Sequence, residues 1–318
     1  MLAETREASD GETHWKPCAR APWDVLYRQA GKAALEQSWA YGEAVSRQHG
    51  ETVERHLLSA GDEPLALLQS FRKSYWQVGV TRILRGPLWL IDPLRDPRAA
   101  PVCRSIATRY RDRRLDFLSW LPELPDDARS VALIEALGLR RVVTGYTSIW
   151  LDLCQEPEAL LAGLHGKWRG SLRKAEREGL TVECDEKERQ RQASLLLYDS
   201  FRRKKRFVGP EAEFIGAVAA ADRDALLSLS ARRAGALVAG VVLLRHGLSA
   251  TYMASWTSAE GRDAQAHNLL LWRGIEVLRS SGTRWLDLGG LNTESRPGLA
   301  RFKLGLGGEV FTLTGSYL

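Results

Sequence analysis

The sequence predicts an α/β chain with mixed sheets, built as two halves of similar make-up. Three observations carry that expectation. The 318 residues exceed one small domain and fall short of three, at roughly 100–200 residues per domain. Hydrophobic residues make up 44% and charged residues 26%, which excludes disordered and fibrous classes. Helical and strand-like periodicities alternate throughout, and SIWLDL at 148–153 is echoed by RWLDLGG at 284–290.

Residues 1–20, MLAETREASDGETHWKPCAR, are polar, with no basic start leading into an apolar run. They predict a mobile tail rather than a signal peptide. From Trp23 to Gly50, Val25, Leu26, Ala33, Ala34, Leu35, Trp39 and Val45 recur at helical spacing. Leu65–Leu68 predicts a short strand, and Gln77–Leu84 and PLWLI at 87–91 predict two neighbouring ones. Prolines punctuate DPLRDPRAAPV at 92–102, a loop leading into a helix over Val102–Arg113. LDFLSW at 115–120 predicts a strand, Ala128–Leu137 a helix closed by Gly138, and Ser148–Leu153 a strand.

In the second half Pro157 suits the first turn of a helix running to Leu164, and a further helix reaches Arg177 and stops at Gly179. Leu180–Cys184 is strand-like, and Glu188–Arg203 and Glu211–Ala220 are helical. Three strands follow over Leu226–Arg232, Ala236–Arg245 and Leu248–Ser255, broken at Gly235 and Gly247. An amphipathic helix spans Asn268–Arg279, and strands cover Arg284–Leu288 and Glu309–Leu313. The boundary is expected near Cys154–Pro157. That gives domains 21–155 and 156–318, with the last strand free to return to the first domain.

The longest apolar run, ALVAGVVLL at 236–244, is far short of the about 20 residues that cross a bilayer. Cys18, Cys103, Cys154 and Cys184 form no CxxC pair, so neither a zinc site nor a disulfide framework is expected. Reduced thiols in the cytoplasm are the expectation, with no metal.

The net charge of +6 is clustered. Between 161 and 177, Lys167, Arg169, Arg173, Lys174 and Arg177 face only Glu176. Arg169, Arg173 and Arg177 are four apart and line one helical face, a rail suited to polyphosphate or an RNA backbone. Arg202, Arg203, Lys204, Lys205 and Arg206 are consecutive and repel one another, so water or a polyanion must compensate them. A solvated helix end explains them equally well. Trp168, Trp256, Trp272 and Trp285 suit core packing, with base stacking as the alternative.

LLAGLHGKWRGSLRKAEREGLTVE at 160–183 resembles the Lys/Arg-rich hallmark helix of FemABX-type aminoacyltransferases. LEQSWAYGEAV at 35–45, RGPLWLID at 85–92 and WLDLGGLNTESRPGLARFKLGLGGEV at 285–310 are similar to further motifs of that family, in the same order. The resemblance implies two tandem GNAT-like acyltransferase domains with an active-site cleft beside or between them. It also implies transfer of an amino acid from aminoacyl-tRNA to an amine of a small molecule, peptide or peptidoglycan precursor. Peripheral membrane contact would follow if that acceptor is lipid-linked. The sequence lacks the long helical hairpin that some Fem proteins carry. EGRDAQAHNLL at 260–270 lacks the Q/RxxGxG/A spacing with which GNAT enzymes hold the pyrophosphate of acetyl-CoA.

By the same resemblance Lys303 matches the family's C-terminal lysine and would place a cation near an oxyanion or a terminal phosphate. Asp287, before two glycines, would orient the acceptor ammonium or take its proton, or would simply satisfy turn amides. Arg296 and Arg301 are candidate phosphate ligands, and His267 is a base or a structural histidine. Trp39 and Tyr41 are acceptor-pocket candidates by analogy. No resident cofactor is expected, aminoacyl-tRNA being a co-substrate. Two other functions stay open: an N-acyltransferase using acyl-CoA or a carrier-protein thioester, and a non-catalytic RNA- or anion-binding protein.

Overall fold

A computed structural model describes residues 12–76, 78–111, 116–206, 209–294 and 296–318. The chain opens with β1 (His14–Pro17), α1 (Arg20–Gln29) and α2 (Trp39–His49). It continues through β2 (Thr52–Ala60), β3 (Glu63–Tyr75), β4 (Val78–Leu84), β5 (Leu88–Trp89), α3 (Ala99–Arg111), β6 (Asp116–Leu121), α4 (Ala128–Glu135) and β7 (Arg141–Val143). Next come β8 (Thr147–Asp152), α5 (Pro157–Gly163), α6 (Gly166–Ala175), β9 (Thr181–Cys184), α7 (Glu188–Lys205) and α8 (Ala212–Ala221). The remaining elements are β10 (Leu226–Arg233), β11 (Ala236–His246), β12 (Ser249–Thr257), α9 (Ala259–Asp263), α10 (Ala266–Ser280), β13 (Trp285–Asp287), α11 (Pro297–Leu304), β14 (Glu309–Thr312) and β15 (Ser316–Tyr317).

The chain divides into two units. The first comprises 1–30, 50–145 and 313–318, and the second comprises 31–49 and 146–312. The first unit's sheet runs β1-β2-β3-β4-β6-β15-β7, with β5 added on β3. The second unit's sheet runs β14-β8-β13-β12-β11-β10-β9. Both are mixed: β4 and β6 are parallel, as are β12 and β13, and the other pairs are antiparallel. Duplication shows in this order. Each unit has three antiparallel strands (β2–β4, β10–β12), a helix (α3, α10), and a strand parallel to the third. The echoed segments are not equivalent positions. Asp287 lies opposite Trp150 in one ladder, so β8 and β13 are neighbours in a single sheet.

Several expectations are corrected. His14–Pro17, expected in a mobile tail, pairs with His56–Ser59 of β2; residues 1–11 lie outside the described residues. The helical stretch over 23–50 is two helices. Gly31 breaks it at φ 72°, and α2 restarts where the Ser38 hydroxyl accepts the amide of Tyr41 at 3.2 Å. The boundary falls at 145/146 rather than 155/156, because β8 is claimed by its ladders to β13 and β14. Residues 31–49 join the second unit because Ala40 and Ala44 pack on Leu195, Ile215 and Trp256. Gln77, Asp112, Arg113 and Leu115 of the predicted elements lie outside the described residues.

Strand alternation explains how the second sheet is covered on both faces. Val241 and Leu243 of β11 belong to the cluster with Leu270, Leu271 and Ile275 of α10 and Trp168 and Leu172 of α6. Val242 and Leu244 belong to the cluster with Leu195 and Tyr198 of α7, Ile215 of α8 and Ala44 of α2. Each such leucine contributes roughly 1.5–3 kcal/mol by leaving water. Among the described residues no helix is long and apolar enough to cross a membrane.

The first unit is completed by the chain end. Tyr317 is fully buried, pairs with Trp120 of β6, and shares a 2.8 Å hydrogen bond with the Thr314 hydroxyl. Tyr317→Ala is expected to destabilise the protein by about 3–5 kcal/mol in urea unfolding. Hydrogen exchange should speed up in β6, and unchanged protection there would contradict the assignment of β15 to this unit.

Candidate active site

The site begins where two parallel strands part. β12 and β13 pair only over Ser249–Thr251 and Trp285–Asp287. β12 continues to Thr257, whereas β13 ends at Asp287. In β12 the ladder to β11 skips Met253: Tyr252 faces Leu243 and Ala254 faces Val242. This bulge reverses the alternation. Tyr252 joins the α10 side of the sheet, while Ala254 and Trp256 join the α7 side.

After β13 the chain turns at Gly289, φ 71°, where a Cβ would lie 3.2 Å from the Tyr252 carbonyl oxygen. Asp287, fully buried, holds this turn: its Oδ1 accepts the Gly289 amide at 2.8 Å and the Ser148 hydroxyl. The turn leaves two carbonyls for Lys303. Lys303 is 5% exposed, and its Nζ donates to Gly289 O at 3.0 Å and Gly290 O at 2.8 Å. The same nitrogen lies 5.6 Å from the centre of the Tyr252 ring. The Tyr252 hydroxyl reaches Ser255 Oγ at 2.6 Å and His267 Nε2 at 2.8 Å. Phe302 packs 4.8 Å from the His267 ring and 5.8 Å from Trp168.

Burial sets the protonation states. It pulls Lys303 down to about 8, against the favourable charge of Asp287 and with the help of Arg296. It lowers His267 to about 4, so the imidazole is neutral at pH 7, and it raises Tyr252. The result is an ammonium close to its titration point beside a neutral Tyr–His pair.

Lys303, Asp287 and His267 are therefore brought together, with Arg296 near enough to bear on Lys303. Arg301 is not: two residues from Lys303 on α11, it leaves the opposite side of the helix and is exposed. Tyr41 packs edge-on against Phe214 of α8 at 5.2 Å, and Trp39 is half-buried at the start of α2. Tyr41 thus packs on the face covered by α7 and α8.

The basic rail is partly structural. Arg169 Nη1 donates to the carbonyls of Ala162 (2.7 Å) and Leu164 (2.8 Å), closing the end of α5. Lys167, Arg173 and Arg177 are exposed, Arg177 donating to the Arg173 carbonyl at 3.2 Å. The second cluster ends α7, where the helix dipole favours cations. Arg202 and Arg203 both pair with Asp199 at 2.8 Å, while Lys204, Lys205 and Arg206 are exposed. Tyr252, Ser255, Ser148 and Phe302 escaped sequence reasoning. A Tyr or Ser within an alternating strand carries no signal of its own, although Phe302 adjoins Lys303 in the motif.

The segment preceding α10 bears on the donor. Its only glycine, Gly261, is inside α9 and buried against β11, where a Cβ would collide with the Val238 carbonyl. That glycine serves close packing rather than an open phosphate-binding loop.

The sequence profile described as an acetyltransferase (GNAT) domain matches residues 165–304. Among solved structures, FemX superimposes with a TM-score of 0.81 at 13% identity, covering 96% of each chain. A tandem GNAT protein from the clavulanic acid biosynthesis pathway gives 0.54 at 17% identity, over 96% of this chain and 98% of that one. L-PGS from Bacillus licheniformis gives 0.54 at 13% identity, over 96% and 92%. No curated protein matches in sequence.

The chain has the FemX fold. Its second unit carries a GNAT acyltransferase domain, and the parting of β12 and β13, Tyr252, His267 and Lys303 all lie within the matched residues. The likeness to the tandem GNAT protein spans both units, so the tandem fold extends to the first, which the profile does not reach.

Lys303 makes a pH prediction. A lysine at 10.5 unfolded and about 8 folded binds its proton more weakly in the folded chain, so its burial penalty fades as pH rises through that window. Between pH 7 and 10.5 the stability difference between wild type and Lys303→Met should shift by roughly 3 kcal/mol in favour of wild type. Urea unfolding at several pH values measures it, and a constant difference would show that the ammonium is not buried.

Proposed function

We propose that the protein is an aminoacyltransferase that moves an amino acid from aminoacyl-tRNA to an amine. The observation that carries this is the buried Lys303 ammonium at the parting of β12 and β13, next to the Tyr252–His267 pair. An ester carbonyl placed there accepts a hydrogen bond from Lys303 as attack turns its oxygen into an oxyanion. The amine nitrogen forms the new C–N bond, and the C–O bond to the ribose breaks. The proton lost by the amine ends on the departing hydroxyl. With a value of about 8, Lys303 can give its proton to that oxygen and take one from the nitrogen. Asp287 acts by fixing the Gly289 turn that aims Lys303, and a neutral His267 orients the Tyr252 hydroxyl.

The closed packing of Gly261 favours an ester donor over acyl-CoA, since the usual pyrophosphate loop has no counterpart there. Lys167, Arg173 and Arg177, with Lys204, Lys205 and Arg206, are the side chains available to the tRNA backbone. The acceptor is an amine of a small molecule, a peptide or a peptidoglycan precursor, as the FemABX resemblance implies. A cytoplasmic setting follows from the donor.

Radiolabelled aminoacyl-tRNA with candidate amines tests the proposal. Product should form and should disappear after RNase treatment; product from acyl-CoA that resists RNase would replace the donor. Lys303→Met should lower kcat by about 10²–10⁴ in a chain that still folds, and full turnover would remove Lys303 from the chemistry. Replacing Lys167, Arg173 and Arg177 with Ala should weaken tRNA binding and reduce its log–log salt slope by about 2–3. A slope equal to wild type would take this rail out of the interface.

A further inference from the structure

The second unit holds a separate cavity on the opposite face of β12. About 170 Å³ of space lies beside the N-terminal half of α7, and its polar lining includes Asp185, Arg189, Ser194, Ser230, Arg232 and Trp256. Trp256 is four residues beyond Tyr252, roughly 13 Å along a strand, and the bulge at Met253 turns the two side chains to different faces.

The floor of this cavity is polar and incompletely bonded. Trp256 (7% exposed) and Ser194 (4% exposed) bury an indole Nε1 and a hydroxyl with no hydrogen-bond partner in the protein. Such groups are rarely left unmatched. They converge over Gly240, where a Cβ would lie 3.1 Å from Ser194 Oγ and would collide with Trp256 Nε1. With glycine there, no side chain stands between the two atoms, and both residues line the cavity. Asp185, 5% exposed, accepts hydroxyls from Ser228 (2.6 Å) and Ser230 (2.8 Å). Two of its roughly four lone-pair sites are thereby filled. Among the described residues no cation forms an ion pair with this carboxylate. At the mouth, Arg232 is engaged by Glu183 (3.4 Å) and the Gly235 carbonyl (3.0 Å), and Arg189 is exposed.

A buried carboxylate without a cation, beside two buried donors without acceptors, is complementary to a small molecule that carries both charges. We propose that this cavity binds a free amino acid, its ammonium on Asp185 and its carboxylate on Trp256 Nε1 and Ser194 Oγ, with Arg189 at the entrance. The size agrees: a cavity of roughly 150 Å³ admits benzene, so this one admits an amino acid with a small side chain. The site owes nothing to the transfer chemistry at Lys303.

Titration calorimetry with glycine, L-alanine, L-serine and L-leucine tests the proposal, with propionate and ethylamine as one-charge controls. At least one amino acid should bind saturably, one per chain, and both controls at least tenfold more weakly. Asp185→Asn should weaken binding at least tenfold. Trp256→Phe, which stays aromatic and removes the indole N–H, should weaken it at least threefold and serves if Asp185→Asn fails to fold. Lys303→Met should bind as wild type does, which separates this site from the proposed reaction. No binding by any of the four up to 10 mM would overturn the proposal. So would propionate binding as well as its amino acid, or wild-type affinity in Trp256→Phe.

Discussion

The early end of β13 is the constraint from which the active-site geometry follows. Three residues of parallel pairing hold β12 and β13 together, and beyond them β12 continues without β13. Backbone that leaves a sheet must place its carbonyls somewhere. Here the Gly289 turn, clamped by Asp287, offers two of them to one ammonium. A lysine drawn into such a place loses most of its water, and among the described residues its charge is held by those two bonds, the Tyr252 face and the nearby Asp287. The lowered proton affinity of Lys303 is thus a consequence of where a strand stops.

The positive charge of the chain divides into charge already used within the fold and charge left to solvent. Arg169 terminates a helix, Arg202 and Arg203 converge on one aspartate, and Arg296 bears on Lys303. Neighbours in sequence therefore do different work. On α6 and just past it the rail reduces to Lys167, Arg173 and Arg177, and at the end of α7 to Lys204, Lys205 and Arg206. Such exposed pairs and cations contribute little to stability, so their value has to be sought in an anionic partner.

Much of the fold was legible because its elements are strongly patterned. ALVAGVVLL became β11, buried on both faces, and the helices over 188–203 and 268–279 appear nearly where periodicity puts them. β2 was missed because TVERHLLSA interrupts its apolar positions with Glu54, Arg55 and His56, as suits a strand with half-exposed residues. The exchange that gives β15 to the first unit and β8 to the second is a tertiary choice that no local pattern records. At the site, Lys303 was visible through the family motif that contains it, and Asp287 through the glycines that follow it. Tyr252 was invisible because its role depends on a one-residue bulge.

That bulge also explains how one strand serves two chemistries. Without it Tyr252 and Trp256, four apart, would point to the same face. With Met253 unpaired, the phenol is delivered to the Lys303 side and the indole to the cavity beside α7. The Lys303 cluster and the cavity differ in how the polar groups they bury are matched. At Lys303 the ammonium, the imidazole and the phenol all have protein partners, an arrangement able to stabilise charge that develops during a reaction. Beside α7, Trp256 Nε1 and Ser194 Oγ have none, and the Asp185 carboxylate has hydroxyls but no cation. A folded chain tolerates such mismatches where a ligand resolves them, so the cavity beside α7 is a place to look for binding and the Lys303 cluster a place to look for turnover.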